Sequence, residues 1–401
     1  MSRSEKFHEV RKLFPATEKL AYFDGGARSL LSVDSRKALD ELLDARIYEG
    51  GDKPAMMDLI ERVRGKFARL INAAPDEVAF TKNVSDGLNS IAGSMPFEPG
   101  DNMVLTSDLE HPNNIYPWYN IRDRIGIEVR DVPSKDGQID VDAMILAMDE
   151  RTKIVTCSTV TFSPGFRTDV PKLGKACRER DVFLLVDGVQ SCGTLKTDVE
   201  ELQVDAMAVS TQKGLQSLYG MGFLYCRKEA ADGLRPERLA RFGVNLGEDT
   251  HEAATGDQAF DFMPGALRFE VGNYNFPGAA ATEPALDLML ELGPDAIEER
   301  NCNLARRLAS GMHQLGLPVC GDLDDPLRTH LVTIGEMDLN NHEGAGNGEL
   351  GALFDHLWAN GVRLSIRRGV LRFGIHFYNN NDDIDRVLDL TRQWKEQAKA
   401  A

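Results

Sequence analysis

Three polar residues follow apolar segments at positions where side chains commonly do chemistry. Asp187 ends the apolar run FLLVD, Lys213 follows AMAVSTQ, and Ser85 follows EVAFTKNV. In an open parallel sheet, ligands bind beyond the carboxyl ends of the strands, so we expect these side chains to meet at one edge of a sheet. Together they can pair with a cationic ring nitrogen, form an imine with an aldehyde and help to bind a phosphate.

These three chemistries belong to one cofactor, pyridoxal 5'-phosphate (PLP). Asp187 would keep the pyridinium nitrogen protonated, so that the ring draws electrons from the substrate Cα. Lys213 would form a Schiff base with the cofactor and, once displaced, would act as a base. Backbone amides at the start of the helix in NVSDGLN, with the hydroxyl of Ser85, would bind the phosphate. Each residue alone also fits a helix cap or a surface position, but together they predict a PLP site.

The segments that carry these residues alternate between helical and strand-like patterns. Between about residues 55 and 226, amphipathic stretches such as VPKLGKACRERD alternate with short apolar runs such as KIVTCSTV. This alternation predicts βαβ units and a largely parallel sheet. The later part of the chain, from GALRFEVG onward, predicts a smaller α+β domain with a helical end.

We predict three parts along the chain. Residues 1–20 form an N-terminal segment that packs with the small domain, 21–265 a large PLP-binding domain, and 266–401 a small C-terminal domain. The polar, glycine-rich stretch 241–257 is the expected hinge, and 340–349 is expected to be an exposed loop.

Composition limits the class of protein. A chain of 401 residues that is 42% hydrophobic is long enough for a large core, and its net charge of -17 argues against a nucleic-acid partner. No apolar run predicts a membrane span or a signal peptide, so we expect a cytoplasmic protein. The six cysteines form no CxxC pair, which predicts reduced thiols and no metal site.

Several longer motifs resemble a known family. The stretches EHPNNIYPW, VDGVQSCGTLKTDVEELQVDAMAVSTQKGL, GMGFLY and LRFGIHFYNNNDDID are similar to the class V aminotransferases of fold type I, near their cysteine desulfurase and selenocysteine lyase branch. The resemblance runs from about Tyr22 to the C-terminal helical segment. It implies a mainly parallel seven-stranded sheet flanked by helices, a smaller α+β C-terminal domain, and a homodimer with shared active sites.

The resemblance also implies roles for individual residues. His111 would stack on the cofactor ring and help in catalysis, and Gln190 would hydrogen-bond the ring hydroxyl. Arg372 would bind the substrate α-carboxylate, for which a bidentate guanidinium is the natural partner. The implied phosphate contacts come from the amide of Val84, from Ser85 and Ser210, and from Asn273 or Tyr274 in the opposite site of a dimer.

The chain departs from the desulfurase branch in the position of its cysteines and in the residue directly before Lys213. Desulfurases carry a nucleophilic cysteine shortly before the substrate-binding arginine, but residues 362–374 contain none and the last cysteine is Cys320. Without a thiolate nothing attacks the substrate sulfur, so we do not expect a persulfide. Gln212 stands where that branch usually has histidine. It can orient cofactor or substrate but cannot shuttle a proton, so Lys213 is the expected acid-base group, with His111 or His376 as helpers.

Other departures concern the substrate side. Phe162 falls where a family asparagine often meets the cofactor, and Ser163 is a weak substitute. Arg28 stands near the substrate entrance, where the family usually has a small residue. Pointing inward, it would favour a substrate with a second acidic group; pointing outward, it is a solvated arginine. Arg367 and Arg368 are similar candidates.

These observations predict a PLP-dependent enzyme that acts on a small amino acid through a carbanion at Cα. Our first choice is β-elimination, such as C–S bond cleavage, because the frame resembles a desulfurase but the cysteine is absent. Transamination is the alternative, because the Gln212–Lys213 pair resembles the glyoxylate aminotransferases. Epimerisation or racemisation comes third. A catalytically inactive partner protein with this fold is the alternative of another class.

Overall fold

The computed structural model describes residues 3–246, 260–338 and 348–400. Most of the predicted loop at 340–349, and the predicted hinge beyond residue 246, lie outside this part. None of the described helices is both long and apolar enough to cross a membrane. The helices are α1 (Arg3–Arg11), α2 (Val33–Tyr48), α3 (Lys53–Leu70), α4 (Val84–Ala92), α5 (Tyr116–Ile125), α6 (Val141–Ala147), α7 (Val170–Glu179), α8 (Val199–Leu202), α9 (Lys228–Asp232), α10 (Phe276–Leu292), α11 (Pro294–Gln314), α12 (Gly348–Ala359) and α13 (Asn381–Ala400).

The strands form one large sheet and three small ones. They are β1 (Ala21–Tyr22), β2 (Val78–Thr81), β3 (Asn102–Leu105), β4 (Glu128–Asp131), β5 (Thr152–Ser158), β6 (Phe183–Asp187), β7 (Ala206–Ser210), β8 (Gly222–Cys226), β9 (Val244–Asn245), β10 (Asp261–Phe262), β11 (Leu331–Ile334), β12 (Val362–Arg363), β13 (Ser365–Arg367) and β14 (Val370–Gly374).

The large sheet has seven strands in the order β2-β8-β7-β6-β5-β3-β4. Strands β3 to β7 run parallel, whereas β8 is antiparallel to both of its neighbours. Every residue of β7 and β8 is buried, which explains why their sequences are continuously apolar rather than alternating. The predicted mainly parallel, seven-stranded α/β fold is confirmed.

Helix α4 packs directly on this sheet. Asn83 caps its first turn by accepting a hydrogen bond from the Asp86 amide at 2.9 Å. Gly87 allows the close approach, because a Cβ there would lie 2.9 Å from the Cβ of Ala208 in β7. The start of α4 is therefore held beside the carboxyl end of β7.

A second apolar core belongs to the small domain. Its antiparallel sheet has the order β11-β14-β13, and α11, α12 and α13 pack around it. Phe23 packs in this smaller core, whereas Met289 of α10 packs in the larger one. The division predicted at residues 20 and 265 stays a prediction.

Candidate active site

A cavity of about 240 Å3 opens at the carboxyl ends of β5, β6 and β7. The last residues of these strands, Ser158, Asp187 and Ser210, all line it. This is the position at which a parallel sheet binds ligands. The predicted site residues found in its lining are Val84, Ser85, His111, Asp187, Gln190, Ser210, Gln212 and Lys213.

Asp187 is the buried carboxylate of the cavity. Its Oδ1 accepts a hydrogen bond from the Val189 amide at 2.9 Å, and its Oδ2 accepts none within the described residues. Burial raises the pKa of Asp187, and the opposing charge comes from Lys213. A protonated ring nitrogen would supply a donor for Oδ2 and a further positive charge, so this carboxyl fits the pyridinium of PLP.

Lys213 reaches the cavity three residues after the end of β7. Burial, followed by the charge of Arg372, lowers the pKa of Lys213 to about 8. The next residue is fixed from two sides, because His376 Nε2 lies 2.9 Å from the Gly214 carbonyl and a Cβ on Gly214 would lie 2.0 Å from the Cys192 carbonyl. The lysine is therefore firmly anchored and partly unprotonated near neutral pH.

The start of α4 forms the end of the cavity suited to an anion. Asn83, Val84 and Ser85 line it, and the Val84 amide donates to the Ser210 hydroxyl at 2.7 Å. Free amides and the positive end of the helix dipole favour a phosphate here. The donors at this end and the carboxylate of Asp187 together fit PLP.

His111 lies on the cavity wall, and its backbone is anchored by the residue before it. Its Nδ1 accepts a hydrogen bond from the Asn113 amide at 3.2 Å, and its ring meets Phe162 edge-on with centroids 5.5 Å apart. Glu110 is fully buried and accepts hydrogen bonds from the Ser158 amide at 2.5 Å and the Ser158 hydroxyl at 2.7 Å. Glu110 thus ties the His111 loop to the end of β5.

The sequence did not predict Ser158, which lines the cavity, or Glu110, which is hydrogen-bonded to Ser158. The only signal was an acidic residue directly before His111. Asn114 also donates to it, at 2.9 Å, but burial dominates and raises the pKa of Glu110 to about 7. Since folding raises this pKa, the contribution of Glu110 to stability is present at low pH and is lost as the pH rises through about 7.

We expect Glu110→Gln to flatten the pH dependence of stability between about pH 4.5 and pH 7. Glutamine stays neutral, so the variant protein loses no stability through this residue as the pH rises. Its NH2 group faces the NH2 donor of Asn114, however, and this unmade hydrogen bond lowers the free energy of unfolding by about 1–3 kcal/mol. Thermal unfolding at pH 5 and pH 8 measures both effects. An unchanged difference between the two pH values would contradict the role of Glu110, and the surface variant Glu41→Gln is the control.

Arg372 lies beside the cavity rather than in its lining. It is buried in β14, donates from Nη1 to the Phe162 carbonyl at 2.9 Å and from Nε to the Ser365 hydroxyl at 3.2 Å. A Cβ on Gly26 would lie 3.4 Å from the guanidinium carbon, and Gln190 donates to the Gly26 carbonyl at 3.0 Å. Arg372 and the cavity-lining Gln190 therefore both lie next to Gly26.

Other predicted residues lie outside this cavity lining. The side chain of Arg28 is 62% exposed and lies 3.8 Å from Asp24, whereas the Tyr274 hydroxyl donates to Glu270. Asn273 is also absent from the lining, so its role and that of Tyr274 in an opposite site stay predictions. His376 is buried, and burial lowers its pKa to about 4, so it is neutral and positions Gly214 instead of exchanging protons.

A larger cavity of about 510 Å3 lies between the large sheet and α11, and Cys302 is in its lining. It lacks the lysine and the strand-end carboxylate that define the smaller cavity. Among the described residues, no group of histidine, cysteine and acidic side chains is suited to hold a metal ion.

Comparison with known proteins identifies a family and several relatives of this chain. The family described as Aminotransferase class-V matches residues 51–346. A probable cysteine desulfurase of Pyrococcus abyssi is 29% identical, with 96% of each chain covered. A solved variant of C-DES with glycine covalently linked to its PLP cofactor has a TM-score of 0.82 at 22% identity, covering 95% of this chain and 98% of that one.

A second C-DES structure is described as a complex between this cystine C-S lyase and its reaction product, cysteine persulfide. It has a TM-score of 0.81 at 22% identity and covers 94% of this chain and 99% of that one. The fold and the site define a PLP-dependent enzyme of fold type I. The chain belongs to the class-V aminotransferase family and is similar to its cysteine desulfurases.

Proposed function

We propose that this enzyme catalyses β-elimination from an amino acid that carries a leaving group at Cβ, without a cysteine nucleophile. The observation that carries the proposal is the makeup of the cavity. It holds one amine, Lys213, next to the buried carboxylate Asp187, and its described lining contains no cysteine. Such a site can move protons, but it has no thiol to accept a sulfur atom.

Each residue has a defined task in this proposal. Bound PLP supplies the sink for the electron pair that remains at the substrate Cα. Asp187 holds the ring nitrogen in its charged state, and Arg372 orients the α-carboxylate. Lys213 Nζ takes the proton from Cα and returns a proton later, for which a pKa of about 8 is well suited. His111 and Phe162 form a wall that excludes water from this face.

The hairpin before Arg372 supports the absence of a cysteine loop. Strand β13 connects to β14 through only two residues, Arg368 and Gly369, whose φ angles are 52° and 80°. Two positive φ angles are typical of the tight type I' turn. This short connection supports the proposal, because the resemblance implies that a desulfurase carries its cysteine on a loop shortly before the substrate-binding arginine.

The cysteines present elsewhere are poorly suited to nucleophilic attack. Burial raises the pKa of Cys192 to about 12 and that of Cys302 to about 11, and it also raises the pKa of Cys320. The thiolate is the nucleophile, so these thiols are almost unreactive at neutral pH. The cystine C-S lyase activity named for the structural neighbour is consistent with elimination on this fold.

Transamination is the second candidate, and Gln212 favours it. This amide lies in the cavity lining directly before Lys213, where it can orient a cofactor or substrate but cannot donate a proton to a leaving group. The two reactions differ in their products, since elimination releases ammonia and transamination keeps the nitrogen on the enzyme.

We also propose a homodimer. Exposed apolar side chains lie at the end of α2, where Ile47 is 69% and Tyr48 80% exposed, and Tyr219 at the cavity mouth is 64% exposed. A second copy would cover these side chains, and the proposal keeps Asn273 or Tyr274 in the opposite site, as the resemblance to the family implies. The cytoplasmic location stays a prediction.

A panel of amino acids tests the proposed reaction. The holoenzyme is incubated with cysteine, serine and alanine and with anionic Cβ-substituted amino acids, and ammonia and keto acids are measured without any added keto-acid acceptor. We expect ammonia with at least one Cβ-substituted substrate and none with alanine. Ammonia from no member, together with a spectral change that an added keto acid reverses, would contradict elimination.

Arg372→Gln should reduce kcat/KM by about 100-fold or more, because a buried, charge-assisted contact to the α-carboxylate is lost. The visible absorbance of the bound cofactor should stay unchanged, since Arg372 lies on the substrate side. Steady-state kinetics and an absorbance scan measure the two effects. Equal loss of cofactor absorbance and activity would show that Arg372 acts on the fold instead.

A further inference from the structure

A row of polar side chains lies on one face of the β13–β14 hairpin. Ser365 pairs with Arg372 and Arg367 pairs with Val370 across the two strands. Opposite residues of an antiparallel pair project to the same face, and side chains two apart along a strand share a face. Arg367, Ser365 and Arg372 therefore project together, whereas Ile366 and Leu371 face the apolar core of the small domain.

The charges of this face extend to Lys213. Burial is the main cause that lowers the pKa of Lys213, and the charges of Arg372 and then Arg367 add to it. Burial likewise lowers the pKa of Arg372, followed by the charge of Arg367. Only groups that lie near one another influence each other in this way. The guanidinium of Arg367 is half-buried and donates to the carbonyl of the residue before it.

One carboxylate on the substrate side opposes these cations. Asp24 is 7% exposed, and its Oδ1 is buried without a hydrogen-bond partner among the described residues. Burial raises the pKa of Asp24, whereas the charges of Arg372, Arg28 and Arg367 act to lower it. Three guanidinium groups thus face a single carboxylate. Neither Arg367 nor Arg372 forms a salt bridge with any residue in the described ranges, so two positive charges are left over on this side.

Arg368 does not belong to this group. Its backbone lies in the turn, and its guanidinium lies 4.5 Å from the ring centroid of Phe162 and donates to the Asp108 carbonyl. It ties the small domain to the large one. The surplus charge beside the cavity, whose lining includes neither arginine, is therefore carried by Arg367 together with Arg372.

We propose that the substrate is an amino acid with a second anionic group on its side chain, and that Arg367 binds this group while Arg372 binds the α-carboxylate. This inference rests on the proposed function, because it assumes that an amino acid enters the site. Two anions of one substrate would neutralise the two surplus cations. Arg367 is then a specificity-determining residue.

Matched pairs of ligands test this inference by binding alone. L-Aspartate is compared with L-asparagine, L-glutamate with L-glutamine, and L-cysteine sulfinate with L-cysteine, using changes in holoenzyme absorbance and thermal stability. We expect at least one acid to bind about 10- to 100-fold more tightly than its neutral partner, as a charge-assisted hydrogen bond predicts. If no acid is preferred, while neutral ligands bind, the inference is wrong and the proposed function stands.

Variants assign the preference to a residue. Arg367→Gln should remove the preference for the acid, measured as the ratio of the dissociation constants of the neutral and acidic partners, since the charge-assisted contact to the side-chain anion is lost. Arg367→Lys should restore part of it, and Arg392→Gln on the surface of α13 is the control. A preference that survives in Arg367→Gln overturns the assignment. If neither acids nor neutral amino acids bind, the proposed function also fails.

Discussion

Lys213→Ala should reduce kcat by about 1,000-fold or more, because the proton transfer to and from the substrate Cα loses the one amine in the described lining of the cavity. The visible absorbance of the lysine-bound cofactor should disappear at the same time. The wild-type rate should rise with pH through about 8, the pKa of Lys213, since the unprotonated amine is the base. Stopped-time product assays and a pH series measure these effects.

Lys172→Ala is the matched control for this variant. Lys172 lies on the surface, where it pairs with Asp142 at 2.6 Å, and its loss should leave activity and absorbance unchanged. A small added amine should restore part of the activity of Lys213→Ala, because it supplies the missing base. Full activity in Lys213→Ala would show that another group moves the proton.

Asp187→Asn should reduce kcat by about 100-fold or more, since a neutral amide no longer holds the ring nitrogen charged. In the cofactor-free protein, by contrast, the same substitution should raise stability. Burial raises the pKa of Asp187. Once the pH exceeds the ordinary pKa of an aspartate, the ionised carboxylate therefore destabilises the cofactor-free protein. The asparagine variant without cofactor should therefore unfold at a higher temperature than the wild type at neutral pH.

Thermal unfolding with and without PLP separates these two effects of Asp187. The stabilisation by PLP should be larger in the wild type than in Asp187→Asn, because a ligand that binds the native state raises its stability with the logarithm of its affinity. Asp389→Asn, on the surface of α13, is the control. Equal stabilisation of both proteins by PLP would contradict the pairing of Asp187 with the ring nitrogen.

The sheet and the main cavity residues were predictable because their signals are local. Asp187 ends one apolar run and Lys213 follows another, and continuous apolar runs are typical of buried parallel strands. Once the runs are recognised as neighbouring strands, the meeting of their ends follows from topology alone. The sequence therefore placed both residues on one edge without knowledge of any distance.

The contacts around Arg372 depend on tertiary structure and were not predictable. Its guanidinium donates to the carbonyl of Phe162 and lies beside Gly26, and both residues are far away in the chain. Likewise, the burial of Glu110 against Ser158 depends on how the His111 loop returns to β5. The side on which Arg367 projects depends on the register of β13 with β14, because a shift by one residue would turn it to the other face.

The most direct test of the central claim is a count of turnovers without a keto-acid acceptor. Holoenzyme is mixed with an excess of a Cβ-substituted amino acid, and keto acid, ammonia and the released substituent are measured per active site. In β-elimination the substituent leaves with the electrons of its bond to Cβ, and water releases the nitrogen as ammonia. We predict equal amounts of all three products over many turnovers. One keto acid per site and no ammonia would contradict the account and identify an aminotransferase.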